Sequence, residues 1–435
     1  MRLTFSMQRH KVSKYMIGGV LDKDASIVST CKSHRLMLHA QLISSSGTGS
    51  YNILPMGLRA LDKLYKIIDN EMLNIGCLKM SLSSLCSAAL WKKSKRWEAF
   101  GDELVKLKMS NTEYCLNPTH EEVVTNMVAS TGLIPAKNLP MKLYQITSKF
   151  RDEPRPRFGL LRCREFLMKD LYTFDKDTES AMETYELVTQ AYERILKTLE
   201  LKYIRAASSC GNMGGKLSHE YLIPADIGED KIYVSEDGDA WNAEYDDSLA
   251  LKISQTTEIQ AIEIGHTFLL GQLYSQIFGA NLISPDSKRL PLQMGCYGLG
   301  VTRILAGCVE HFSNDDSIRW PYAISPFKVC IIPPKQGSKE QKYFQNMDID
   351  LYKEMEENPL LEGDVIIDDR DNYTIGKRLH DAKFIGYPVV LIIGKHILDE
   401  HSKVEVLLQN KNESISLPLS EVVPVIIKEF EEDSY

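Results

Sequence analysis

The sequence predicts a mixed α and β protein of two or three domains that closes on a smaller α/β domain, and three observations carry that reading. The chain has 435 residues, enough to bury more than one core. Before residue 325, strand-like and helix-like apolar patterns are mixed without regular alternation, which fits α+β or α/β. Beyond Ile324-Ser325-Pro326-Phe327 the pattern becomes regular. Strand-like runs at Lys328–Ile332, Asp364–Ile367, Val389–Ile393 and Val404–Leu408 alternate there with helices near 338–357 and 374–386. Such alternation marks a compact α/β domain with a largely parallel sheet.

Taken in order, the first 20 residues hold Arg2, Arg9, Lys11 and Lys14, with no acid before Asp22. That composition suits a mitochondrial presequence or a frayed basic arm over residues 1–30. The run Ser44 to Ser50 is a turn-rich loop, followed by a short strand over Tyr51–Leu54 and by Pro55. Leu58, Leu61, Leu64, Tyr65, Ile68 and Met72 then recur at three- and four-residue steps, an amphipathic helix opened by a proline. A second helix covers about 178–199, with Met182, Tyr185, Val188, Ile195 and Leu199 on one side. Residues 204–260 are polar, glycine-dotted and weakly periodic apart from short strand-like pieces such as Lys231 to Val234, and read as an irregular insertion. Strand signals return at Ala261–Ile264 and Thr267–Leu270, and a strand–glycine–helix unit spans Leu292 to Val309.

Composition is that of an ordinary globular chain, 43% hydrophobic and 25% charged, and no apolar run reaches membrane-spanning length. The net charge of −8 excludes a general positive field, so any nucleic acid must meet local patches. Nine cysteines, at 31, 77, 86, 115, 163, 210, 296, 308 and 330, contain no CxxC pair. Reduced thiols fit this scatter better than a disulfide framework or a zinc ribbon.

The densest chemistry lies in Lys149–Asp170, KFRDEPRPRFGLLRCREFLMKD. Arg151 and Glu153 precede a basic, proline-interrupted loop, and Arg162, Phe166 and Asp170 follow it. A strand, a loop and a returning strand of this kind can hold a nucleotide. A fixed guanidinium meets phosphate, a carboxylate takes an exocyclic amine, and an aromatic face stacks on a base.

This segment resembles motif 2 of class II aminoacyl-tRNA synthetases in its prolyl-tRNA synthetase form, and three further segments match in order, the last in two pieces. GTGSYNILPMGLRALDKLYKIIDNEM resembles motif 1, which in the family forms a homodimer interface. Asn117-Pro118-Thr119-His120-Glu121-Glu122 is similar to the family's proline-binding segment. The resemblance sets Thr119 and Glu121 beside the ring ammonium of proline, although Thr119 and Glu122 also read as a helix capping box. Ile262 to Phe268 looks like the strand lining both substrates, and Met294-Gly295-Cys296-Tyr297-Gly298-Leu299-Gly300-Val301-Thr302-Arg303 looks like motif 3.

The resemblance implies a role for each matched position. Arg151 meets the α-phosphate and the proline carboxylate, Glu153 the adenine amine, Phe166 the adenine ring and Arg162 a phosphate. Arg303 grips the γ-phosphate, Glu263 contacts magnesium or ribose, and His266 and Cys296 line the proline pocket. For His266 a satisfied core histidine, and for Cys296 an inert buried thiol, are the plain alternatives. The implied architecture is an α+β catalytic domain over 31–325, with a class II antiparallel sheet of six to seven strands flanked by helices. An α/β anticodon-binding domain over 326–435 follows, with Arg370 and Lys395 as candidate base contacts.

The implied activity is proline–tRNA ligation from ATP, Mg²⁺, L-proline and tRNA(Pro), in a homodimer of the mitochondrial matrix without structural zinc. About 90 residues separate Asp170 from Glu263, too few for the editing domain of many bacterial relatives. Two other readings are an inactive paralogue serving as an accessory subunit and a synthetase for threonine or serine. The complete set Arg151, Glu153, Arg162, Phe166 and Arg303 weighs against the first, and the PTHE and CYGLG runs weigh against the second.

Overall fold

The computed structural model describes residues 9–16, 29–245, 256–284, 288–344, 347–399 and 402–432. The chain divides into two compact units, Leu64–His311 with Ser45–Tyr51, and Phe312–Tyr435 with Asn52–Lys63 and the described part of Met1–Ser44.

The first unit is built on a nine-stranded sheet. Its strands run in the order Leu217–Pro224, Ile204–Ala207, Ala240–Asn242, Asp230–Ser235, Thr256–Gly271, Gln293–Gly300, Glu165–Asp175, Met141–Phe150 and Leu78–Lys79. Leu217–Pro224 pairs a second time, with the long strand Thr256–Gly271. The central pairings are antiparallel. Parallel contacts occur at the Leu78–Lys79 edge and between Ala207 and Trp241.

The sheet corrects three readings of the sequence, the first being its size, nine strands where six to seven were expected. Residues 204–242 are not an irregular insertion but four strands of the sheet itself. Their faces mix apolar residues with inward polar ones such as Ser218 and Glu220, which blurs the period-two signal. The segments 261–264 and 267–270 are one strand, because Gly265 continues the ladder opposite Tyr221 and Leu299.

One face of the sheet is covered by the helix Thr178–Thr198, started by the Asp177 carboxylate accepting from the Ser180 N–H at 2.9 Å. Tyr185, Val188, Tyr192, Ile195 and Leu199 are buried, whereas Met182, expected on that side, is exposed. The helix Pro55–Asn74 begins at its proline and buries Met56, Ala60, Leu61, Leu64, Ile68 and Met72. Leu58, expected on the buried stripe, is 44% exposed.

The second unit carries a five-stranded sheet in the order Val365–Ile367, Val329–Ile332, Val389–Ile392, Lys403–Leu408, Glu413–Pro418. The first three strands are parallel and the last two antiparallel, so the sheet is mixed rather than largely parallel. The closing hairpin needs no crossover, which removes the constraint that makes sheets parallel. Arg59 and Lys63, on the first turns of Pro55–Asn74, bind Asp364 at 3.0 and 2.6 Å and so place the helix start in this unit. Residues 9–16, within the stretch read as presequence or arm, bury Val12 and bridge Lys11 to Ile367, and both Asp369 oxygens accept from Ser13. The rest of 1–28 lies outside the described residues.

Candidate active site

Strand register builds the site. Glu220 pairs with His266, His266 with Gly298, Gly298 with Asp170 and Asp170 with Gln145, one row across five strands. Because side chains alternate across a strand, positions two apart share that face: Phe166, Met168 and Asp170; His266 and Phe268; Cys296, Gly298 and Gly300. All of these line a single cavity of ≈ 280 Å³, together with Thr119, Arg151, Glu263 and Arg303. Phe100 and Met213 also line it. The glycines leave the floor low, and a Cβ at Gly298 would meet the Met168 sulfur at 3.6 Å.

Arg151 stands over Phe166, with 5.3 Å from its guanidinium carbon to the ring centroid, and its Nε is buried without a hydrogen-bond partner. Burial lowers its pKa; Glu263 opposes that shift and the positive charge of Arg303 adds to it. Arg303, on the first turn of the helix Val301–Phe312, donates from Nε to the Leu161 carbonyl at 3.0 Å. Its Nη1 donates to the Glu263 carbonyl at 2.7 Å and meets the Glu263 carboxylate at 3.2 Å. Burial would raise the Glu263 carboxyl, but the hydrogen bond with His266 and the charges of Arg303 and Arg151 hold it well below the usual carboxylate range. His266 is fixed on three sides, by the Ser218 hydroxyl at 2.6 Å, the Glu263 carboxylate at 3.2 Å and the Phe268 ring stacked at 3.9 Å.

The proline-binding candidates form a second layer. Thr119 lines the cavity and donates to Glu121 Oε1 at 2.8 Å, and the Cys296 thiol donates to the same oxygen at 3.1 Å. Glu121 itself is fully buried behind them. The capping box is not formed: the helix Glu121–Ser130 has His120 at its N-cap without a side-chain cap, and Thr119 is spent on Glu121. Burial and the Glu121 charge push the Cys296 thiol up, so it stays a neutral donor.

Glu153 and Arg162 are not in the main cavity. They pair at 2.9 Å in an adjoining chamber of ≈ 190 Å³ that shares Glu263 and Arg303 with it. Arg162 also pairs with Glu229 there. In the second unit, Arg370 is held by Asp368 at 2.7 Å and Asp381 at 2.9 Å, while Lys395 is exposed at the start of a 3₁₀ turn.

Several site residues escape the sequence reading. Glu220, its carboxyl raised by burial and by Glu263, accepts from Asn242 at 2.7 Å. Asp230 accepts from the Glu263 N–H at 3.3 Å, and burial with the Glu263 and Glu220 charges pushes it up to about 6. Both come from the segment read as an insertion. Phe100 caps the short helix Arg96–Ala99 and Met213 ends the 3₁₀ turn Gly211–Met213, elements too short to carry a periodic signal.

Residues 105–312 match the tRNA synthetase class II core domain (G, H, P, S and T), and residues 328–429 match the anticodon binding domain. The chain is 47% identical to the probable mitochondrial proline–tRNA ligase of Rattus norvegicus, covering 91% of this chain and 85% of that protein. It is 45% identical to the Homo sapiens counterpart, covering 90% and 84%. The prolyl-tRNA synthetase of Giardia lamblia has the same fold at a TM-score of 0.78 and 17% identity, covering 92% of this chain and 78% of that one. Among the described residues, no helix is long and apolar enough to cross a membrane. With a class II core and an anticodon-binding domain in that order, and relatives this similar along nine-tenths of its length, the chain belongs to the proline–tRNA ligase family of class II aminoacyl-tRNA synthetases.

Proposed function

We propose that this chain activates L-proline with ATP and transfers it to the 3′ end of tRNA(Pro). The observation that carries the reading is the presence of Arg151 and Arg303 on the wall of one cavity whose far end holds Thr119 and Cys296 over the buried Glu121. A cationic end and an end backed by a carboxylate suit a zwitterion joined to a triphosphate.

In this reading Glu121, through Thr119 and Cys296, takes the charge of the ring ammonium. Arg151 orients the proline carboxylate for in-line attack on the α-phosphorus and offsets the charge that gathers on its oxygens. Phe166 stacks on adenine, Glu153 accepts from its amine, and Arg162 and Arg303 meet the outgoing phosphates. His266 and Cys296 shape the pocket without moving a proton. The chain's acid–base work is small, because the nucleophile is already a carboxylate.

ATP enters as its magnesium complex, and the ion would neutralise phosphate charge. Glu263 fits such a contact, since its side chain is 32% exposed to the cavity and is kept ionised by its cationic neighbours. The anticodon is read at the end of the second unit that carries Arg370 and Lys395, and no structural zinc is needed. Dimerisation through the helix Pro55–Asn74 fits its exposed Leu58 and Leu73. Residence in mitochondria is supported by relatives that are mitochondrial, and the matrix is the compartment we propose within them. Proline-dependent ATP–pyrophosphate exchange with purified protein tests the reading; exchange with another amino acid only, or with none, overturns it.

A further inference from the structure

Resting on that reading, we infer that Arg96, which lies outside all the matched motifs, is a positioning residue that sets the proline end of the pocket. Arg96 is 6% exposed. Its Nη1 donates to Glu121 Oε2 at 3.1 Å and to the two Glu122 oxygens at 3.0 and 3.1 Å. With Oε2 held this way, Oε1 is the oxygen left to face Thr119 and Cys296, at 2.8 and 3.1 Å. The carboxylate therefore has one orientation, with one oxygen committed to the scaffold and the other turned toward the substrate amine.

The same guanidinium reaches the cavity wall by another route. Nη2 contacts the Met213 sulfur at 3.2 Å, and the guanidinium carbon lies 5.5 Å from the centroid of Phe100. Both side chains line the cavity. Tyr274, at 5.7 Å from Arg96, donates to the Met213 carbonyl at 3.0 Å and closes the loop of contacts. Burial works against the Arg96 charge, but Glu121 and Glu122 more than offset it and hold its pKa above the ordinary arginine range. One buried cation thus fixes both the carboxylate that reads the ring nitrogen and two apolar walls around the ring.

The test separates this role from a general structural one. Tetrahydrofuran-2-carboxylate keeps the ring and carboxylate of proline but replaces its N–H₂⁺ with an oxygen, so it can use Arg151 and cannot use Glu121. KM for proline, KM for ATP and Ki for this analogue are measured for the unmodified enzyme, for Arg96→Lys, and for the charge-balanced Arg96→Gln/Glu122→Gln. The expected result is a rise in KM for proline of about tenfold, the size of one charge-assisted hydrogen bond, with a smaller rise in Ki from the loosened ring walls and KM for ATP within about twofold. Arg96→Lys, which keeps the charge, falls between and remains informative should the double variant not fold. A parallel rise in all three constants, or no change in any, overturns the inference. Failure of the functional reading is distinct, because the unmodified enzyme would then show no proline-dependent exchange.

Discussion

Arg151 and Arg303 face one cavity from different strand–helix systems, close enough that the Arg303 charge helps burial to depress Arg151. Two like charges on one wall raise the energy of the empty protein and are relieved by a polyanion. Glu263 partly offsets them, and its contacts with Arg303 mark it as the brace that holds one of the two.

Replacing that brace gives the first prediction. Glu263→Gln keeps the shape but removes the charge that fixes Arg303 and His266. KM for ATP should rise about tenfold, equivalent to about 1.4 kcal/mol, with a smaller change in KM for proline. Steady-state exchange kinetics over both substrates check it.

His120 supplies a pH prediction. Burial lowers its pKa to about 4, with Asp170 opposing and Lys149 reinforcing that shift. The folded state holds it neutral while the unfolded chain takes up a proton near 6.5. Its contribution is therefore full above about pH 6.5 and is lost as pH falls toward 4, about 3 kcal/mol in all. Thermal unfolding across that window should show falling stability, with a shallower slope for His120→Asn.

At Gly57 a Cβ would stand 2.2 Å from the Leu42 carbonyl oxygen, a backbone atom. Gly57→Ala should cost about 1–3 kcal/mol despite alanine's better helix propensity. Chemical denaturation measures this, and a stabilised variant would show that the helix Pro55–Asn74 is packed otherwise.

Between Asp170 and Glu263 the described chain forms the strand end at Asp175, one α-helix, a 3₁₀ turn and sheet strands, and the shortness of the interval leads us to expect that discrimination against alanine rests on pocket fit. Alanine lacks part of the ring, and each missing methylene is worth about 1–3 kcal/mol. Alanine-dependent pyrophosphate exchange should be weak but measurable, and a background-level signal would contradict this.

The sequence made the site legible where residue chemistry is concentrated in short runs. Arg151, Thr119, His266, Cys296 and Arg303 were each read from such a run, and the fold brings them to one cavity. Glu220 was hidden because it belongs to a strand whose inward face is polar where it borders the site, which removes the alternation that identifies a strand, and Asp230 because it stands just before the strand-like run Lys231 to Val234 without a motif around it. Arg96 was hidden for a different reason. A lone arginine in a lysine-rich stretch reads as surface charge, and its burial becomes visible when Glu121 and Glu122 arrive from another segment. Four of the five strands of the mixed sheet in the second unit were legible, but the edge strand Glu413–Pro418 and the antiparallel direction of Lys403–Leu408 were not, since a strand carries the same period whichever way it runs.

The most direct test is proline-dependent ATP–pyrophosphate exchange by folded Arg151→Ala beside the unmodified protein. Loss of a preorganised cation at the reacting phosphorus predicts a fall in kcat/KM of about 100-fold or more. Exchange within twofold of the unmodified rate would contradict the convergence of Arg151 and Arg303 on one triphosphate.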